Sequence, residues 1–155
     1  AGNSTTGIFA LSYNSSSTII ATRNKYTYSS DTNGTAAAAS VPSREGSAAG
    51  TSTVGIFALA SFCCCGSLTG TATRDKYTYS SCTNGSATSA STAGGGLGAA
   101  SGNSTVGIFA IGGATTTRNK YTYSGDVNAV ATASSAGSGG GSAAGNSTIG
   151  IFAIG

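Results

Sequence analysis

The segment Gly7-Ile8-Phe9-Ala10-Leu11 returns as Gly55-Ile56-Phe57-Ala58-Leu59, as Gly107-Ile108-Phe109-Ala110-Ile111 and as Gly150-Ile151-Phe152-Ala153-Ile154, four copies of one word. In an extended chain Ile8 and Ala10 point to one side and Phe9 and Leu11 to the other. The word therefore reads as a β-strand that is apolar on both faces and buried between layers. A second word stands between successive copies of the first: Thr22-Arg23-Asn24-Lys25-Tyr26-Thr27-Tyr28-Ser29, then residues 73–80 with Asp75 in place of Asn, then residues 117–124. Tyr26 and Tyr28 share one face, with Arg23, Lys25 and Thr27 on the other. This predicts a strand apolar on one side, with tyrosines between layers and Arg and Lys stems covering the opposite side.

The first glycines, at 7, 55, 107 and 150, lie 48, 52 and 43 residues apart. Cutting each interval at the last tyrosine of the second word (Tyr28, Tyr79, Tyr123) leaves return paths of 27, 28 and 27 residues. The length variation falls between the two words, in residues 12–21, 60–72 and 112–116, which predicts hairpins whose turns are surface tips. The constant return path must hold another strand or two, with 127–132 the clearest outer strand. Only 36–41 invites a helix, and Pro42 follows it; elsewhere Ser, Thr and Gly disfavour one. The lead-in Ala-Gly-Asn-Ser-Thr at 1–5 returns at 144–148 and, with Ser first, at 101–105. One repeat domain, 1–155, thus divides into approximate repeats 7–54, 55–106 and 107–149, with a partial fourth at 150–155.

Composition narrows the functions. Only 7% of the residues are charged, against about 25% in an ordinary domain, and seven Lys and Arg against four Asp and Glu leave +3. That is too sparse for a nucleic-acid groove or a polybasic membrane patch. The cation-plus-tyrosine words resemble single-strand binders, but three copies carry six cations, and packing explains them better. No apolar run reaches the 18 to 20 residues or so of a spanning helix. Histidine is absent, the four carboxylates are scattered, no nucleophile sits beside a base and no phosphate loop is present, so neither an enzyme nor a cofactor is expected. The opening at Ala1 without a Met reads as a processed product or a piece of a longer chain.

An apolar strand closing on Gly-Gly, Ile108-Phe109-Ala110-Ile111-Gly112-Gly113, followed by a variable loop and a tyrosine strand, Lys120-Tyr121-Thr122-Tyr123, resembles the kelch repeats, in particular the degenerate ones of long bacterial and phage repeat proteins. The pair becomes Ser12-Tyr13 and Ala60-Ser61 elsewhere, and Trp is absent. The resemblance implies an all-β fold of about three kelch-like, propeller-type antiparallel repeats. Propellers typically use four to eight blades, so three would be open-ended and completed by neighbouring copies, as a six-bladed pair or a linear stack.

Other features are weighed against plainer roles. Cys63-Cys64-Cys65 and Cys82 lack the spacing of a zinc site and are candidates for thiols or disulfides between chains. Within one hairpin Cys65 and Cys82 would lie six or more residues apart, at about 3.3 Å each, more than twice the roughly 7 Å that a disulfide spans. Asn3, Asn14, Asn33, Asn84, Asn103 and Asn146 are candidate N-glycosylation sites, with turn formation as the alternative. Asp31 and Asp126 read as turn residues rather than calcium ligands. Tyr13, Asn14, Phe62 and Leu68 are candidate display positions on the tips. Ile8, Phe9, Ile56, Phe57, Ile108, Phe109, Ile151 and Phe152 are candidate assembly strands. The expectation is a structural repeat protein that forms or decorates an extracellular filament or a cell- or virion-surface appendage, with other copies of itself as partners. The alternative is a kelch-like adhesin or phage tail-associated module that binds glycan or protein through its tips.

Overall fold

Each first word becomes a strand, each second word its antiparallel neighbour, and the return path supplies an outer strand and an inner one. The computed structural model describes residues 1–60, 70–137 and 139–155, and among these the protein is all-β, without helices. The first sheet holds β1 (Thr6–Ala10), β2 (Arg23–Thr27) and β3 (Thr32–Ala36). The second holds β4 (Ser47–Gly50), β5 (Val54–Ala58), β6 (Arg74–Thr78) and β7 (Thr83–Ala87), and the third β8 (Ala99–Gly102), β9 (Val106–Ala110), β10 (Arg118–Thr122) and β11 (Val127–Ala131). The fourth pairs β12 (Gly141–Gly145) with β13 (Gly150–Ile154). Strands follow one another across each sheet as an antiparallel meander. The outer strand expected at 127–132 is β11. After β3 ends at Ala36 the chain leaves the sheet without forming a helix, as the Pro42 nearby dictates. The sheets are offset from the sequence repeats by one strand, because the small-residue strand before each first word joins the sheet of that word.

Register fixes which side chains share a face. Ile8 pairs with Lys25 and Ala10 with Arg23, while Gly7 pairs with Tyr26 and Phe9 with Asn24. The same pairs recur as Ile56 with Lys76 and Phe57 with Asp75, and as Ile108 with Lys120 and Phe109 with Asn119. One face of each sheet thus carries Ile, Arg and Lys toward the following sheet, and the other carries Phe, Tyr and Asn or Asp toward the preceding one. Ile8 of the first sheet packs with Phe57, Tyr77 and Tyr79 of the second, and Ile56 with Phe109 and Tyr121 of the third. Inner strands made of Ala, Ser and Gly let β4 run beside β8 and β8 beside β12.

The leading glycine of the first word has a steric cause. A Cβ on Gly55 would lie 2.7 Å from the Tyr79 hydroxyl, and one on Gly107 2.6 Å from that of Tyr123. The two words are therefore coupled, since the second tyrosine needs the glycine beneath it. Turns repeat as faithfully. Asn3 Oδ1 accepts the backbone N–H groups of Thr5 and Thr6, and Asn103 and Asn146 repeat this. Asp31 and Asp126 sit in left-handed turns at φ 52° and 51°, and Cys82 takes the same place at 54°. The return path ties to the variable loop at an equivalent point in each repeat: Ala39 N–H to Ala21 O, Ala90 N–H to Ala72 O and Ser134 N–H to Thr116 O, at 2.8, 2.9 and 3.0 Å.

Candidate assembly interface

The first residue of each second strand is an arginine, and each reaches into the next sheet. Arg23 is fully buried, lies 4.4 Å over the Phe57 ring, and donates to Asp75 Oδ2 at 2.8 Å and Asn84 Oδ1 at 2.7 Å. Arg74 does the same one sheet on: 4.8 Å over Phe109, with hydrogen bonds to Asn119 Oδ1 at 3.3 Å and Asn128 Oδ1 at 2.6 Å. Arg118 lies 4.6 Å over Phe152. The fourth sheet has no described strands corresponding to β6 and β7, and Arg118 has no side-chain acceptor among the described residues. A desolvated guanidinium over an aromatic ring contributes about 2 kcal/mol. The acceptors answer the remaining cost of burying the charge.

The two complete interfaces differ in charge. Asp75 forms a fully buried ion pair with Arg23 and also accepts the Ser40 N–H at 2.9 Å and hydroxyl at 2.6 Å. Asn119 is the neutral counterpart, accepting the Ser91 N–H at 2.8 Å and donating to the Ser91 hydroxyl at 2.9 Å. Burial pushes Arg74 down to about 10, and Arg23 is also lowered by desolvation, with Asp75 pulling the other way. Two further rungs flank the arginines. Lys25 Nζ lies 3.5 Å from Cys82 Sγ and Lys76 Nζ 3.7 Å from Asp126 Oδ2, while Asn3 and Asn103 donate their Nδ2 groups to the Ser52 and Ser147 carbonyls at 3.0 and 3.2 Å.

The half-apolar reading of the second word understated its burial, because polar side chains from both faces, Arg23 and Arg74 on one and Asp75 and Asn119 on the other, are buried. A covered cation and a solvated one look alike in one strand's alternation. The only sequence signal is that Arg and Asx recur in fixed phase with Phe.

The expected assembly strands divide. Ile8, Ile56, Phe57 and Phe109 are buried between sheets of one chain, Ile108 and Phe152 are half-buried, and Phe9 and Ile151 are 55% and 69% exposed. Phe9 belongs to an uncovered face that also presents Asn24, Asn33 and Tyr28. On that face nothing described donates to either amide, whereas its equivalents on the second and third sheets are closed.

The remaining candidates are scattered. Asn3, Asn103 and Asn84 use their amides between sheets, and Asn146 closes a turn. Asn14 closes the first tip, accepting the N–H groups of Ser16 and Thr18, and Asn33 is exposed on β3. Cys82 is half-buried against the first interface. Tyr13 is 43% exposed and meets Arg44. Phe62, Cys63, Cys64, Cys65 and Leu68 lie outside the described residues. Among the described residues no three His, Cys, Asp or Glu side chains gather as a metal site would require, and no helix is long and apolar enough to cross a membrane. Comparison with protein-family models and with curated proteins finds no match to this chain.

Proposed function

We propose that this protein is a structural repeat protein that forms or decorates an extracellular filament or a cell- or virion-surface appendage by sheet-to-sheet packing of its repeats. One observation carries the reading: the Arg-on-Phe interface occurs twice in full, so that successive sheets are joined by the same contact. A contact that repeats from sheet to sheet is one by which like units can be added, as in open repeat arrays. An exterior location agrees with the low charge and with the exposed sequon at Asn33. The kelch resemblance belongs to this reading as a family for the repeats. Negative-stain microscopy of the purified chain tests it. Fibres whose axial repeat matches the three-repeat unit are expected, and uniform discrete particles at all concentrations overturn it.

A second reading, a kelch-like adhesin or tail-associated binding module, is favoured by the loops joining the two words. They differ in length while the rest of each repeat is constant, and Tyr13 projects from the first of them. A glycan array separates the two, with saturable binding that Tyr13→Ala abolishes supporting the module.

A further inference from the structure

The turns that join the second strand of each sheet to its outer strand put Asp31, Cys82 and Asp126 at one equivalent position, in the left-handed region at φ 52°, 54° and 51°. Asp and Asn are among the side chains this conformation favours. In the third sheet the Asp126 carboxylate lies 3.7 Å from Lys76 Nζ of the sheet before it and accepts the Thr88 N–H at 3.0 Å. In the first sheet Asp31 accepts the Tyr26 hydroxyl. In the second sheet the place is held by a thiol, and the groups that serve an acid elsewhere are kept around its sulfur. Lys25 Nζ of the first sheet donates to Cys82 Sγ at 3.5 Å, and Ala37 takes the place of Thr88. Tyr77, the counterpart of Tyr26, is fully buried, and its hydroxyl faces Cys82 and the Ala37 N–H without completing a hydrogen bond. Burial chiefly, and then Cys82, push that hydroxyl's pKa up. A buried hydroxyl without a partner is costly, and this one points to an acceptor that the sulfur does not supply. The Tyr121 hydroxyl of the third sheet is unpartnered too, but there the acid is already in place. Cys82 itself is half-buried, so a small oxidant can reach it.

We propose that Cys82 is a site of oxidation by peroxide, and that its sulfinic acid does between the first and second sheets what the Asp126 carboxylate does between the second and third. The thiolate sulfur attacks one oxygen of hydrogen peroxide and the O–O bond breaks. The departing hydroxide takes up the proton that the thiol gave up and leaves as water, and Cys82 is then a sulfenic acid. The sulfenate sulfur attacks a second peroxide in the same way, giving the sulfinate and a second water. Each step oxidises the sulfur by two electrons and reduces one peroxide. The product suits the site. Sulfinate oxygens stand two bonds from Cβ, as Asp carboxylate oxygens do, and carry the same negative charge. One oxygen meets the Lys25 ammonium, and the other accepts from the Tyr77 hydroxyl or the Ala37 N–H, as charge-assisted hydrogen bonds. The nucleophile is the thiolate, and the Lys25 ammonium is the cation at hand for its charge as well as for that of the product.

Treatment of the intact chain with hydrogen peroxide, followed by mass spectrometry and thermal melts, tests this. Trypsin places Cys82 on peptide 77–118, apart from Cys63, Cys64 and Cys65 on peptide 45–74. Peptide 77–118 is expected to gain two oxygens, about 32 Da. In Lys25→Met that gain should be about tenfold slower, and in Lys120→Met, which changes an exposed lysine of the third sheet, it should be unaltered. Oxidation is expected to raise Tm by about 2 to 4 °C. Cys82→Asp, which copies Asp126, should show that rise without peroxide, and Cys82→Ser should show no rise after it. A peptide 77–118 that stays reduced, or that oxidises as fast in Lys25→Met, overturns the proposal. So does a fall in Tm on oxidation, a rise that persists in Cys82→Ser, or a covalent bond between Lys25 and Cys82 in place of the added oxygens. Every readout lies within one chain, so these outcomes are independent of whether copies assemble.

Discussion

Replacing Asp75 with Asn and Asn119 with Asp interchanges the two versions of one buried site and leaves side-chain volume nearly unchanged. In the first interface the Asp75 carboxylate accepts three hydrogen bonds, from Arg23, the Ser40 N–H and the Ser40 hydroxyl. An asparagine there can keep all three contacts by donating to Ser40, as Asn119 does to Ser91. What Asp75→Asn removes is the charge-assisted increment, about 1 kcal/mol per bond, which predicts a loss of about 1 to 3 kcal/mol. Asp75→Ala removes every acceptor and leaves Arg23 with Asn84 alone, so the loss rises to about 3 to 5 kcal/mol, the cost of breaking a buried pair. Asn119→Asp should run the other way by about 1 to 2 kcal/mol, because Arg74 is already desolvated without a carboxylate. For a chain of this size each kcal/mol moves Tm by about 2 to 4 °C. Urea unfolding followed by tyrosine fluorescence and far-UV circular dichroism measures the effect. Hydrogen exchange at β6 and β10 assigns it to the right interface, since repeat arrays can unfold in parts. If Asp75→Ala is no worse than Asp75→Asn, or Asn119→Asp destabilises, the arginine is not a desolvated cation governed by its partner and the reasoning fails.

Two glycines predict opposite outcomes. Gly55→Ala drives a methyl against the Tyr79 hydroxyl and should cost about 1 to 3 kcal/mol, while Gly85→Ala meets nothing within 4 Å and should stabilise by about 0.4 to 1 kcal/mol; thermal melts of both check this. Asn103→Ala strips the acceptor from the N–H groups of Thr105 and Val106 and should cost about 1 kcal/mol or more, whereas Asn103→Thr should recover most of it, because Thr51 Oγ1 accepts the Thr53 and Val54 N–H groups at the equivalent turn. Burial raises Tyr79 and Tyr123 to about 12, against 10 in the unfolded chain. Their stabilisation is therefore complete below pH 10 and is lost as pH rises through 12; urea midpoints that fail to fall between pH 10 and 12 contradict this burial.

How much of this was legible in the sequence follows from what a strand pattern encodes. Recurrence of the two words located the central strands, and alternation assigned Ile8 and Phe9, and Lys25 and Tyr26, to the right faces, because pleating alone fixes those facts. The inner strands were not legible. Ser-Ala-Ala-Gly has weak β-propensity and no alternation, and its signal is steric, a demand for small side chains where neighbouring sheets approach closely. Nor could the depth of Arg23 be read, since burial of a cation depends on the next sheet, some fifty residues away in sequence, and only the phase of Arg against Asx and Phe hints at it. That phase also recasts the scarcity of charge. Among the eleven ionisable Lys, Arg, Asp and Glu side chains, Arg23, Arg74 and Asp75 lie inside sheet-to-sheet contacts, and Lys25 and Lys76 bridge the same pairs of sheets. Charge in this protein therefore marks how one sheet is joined to the next.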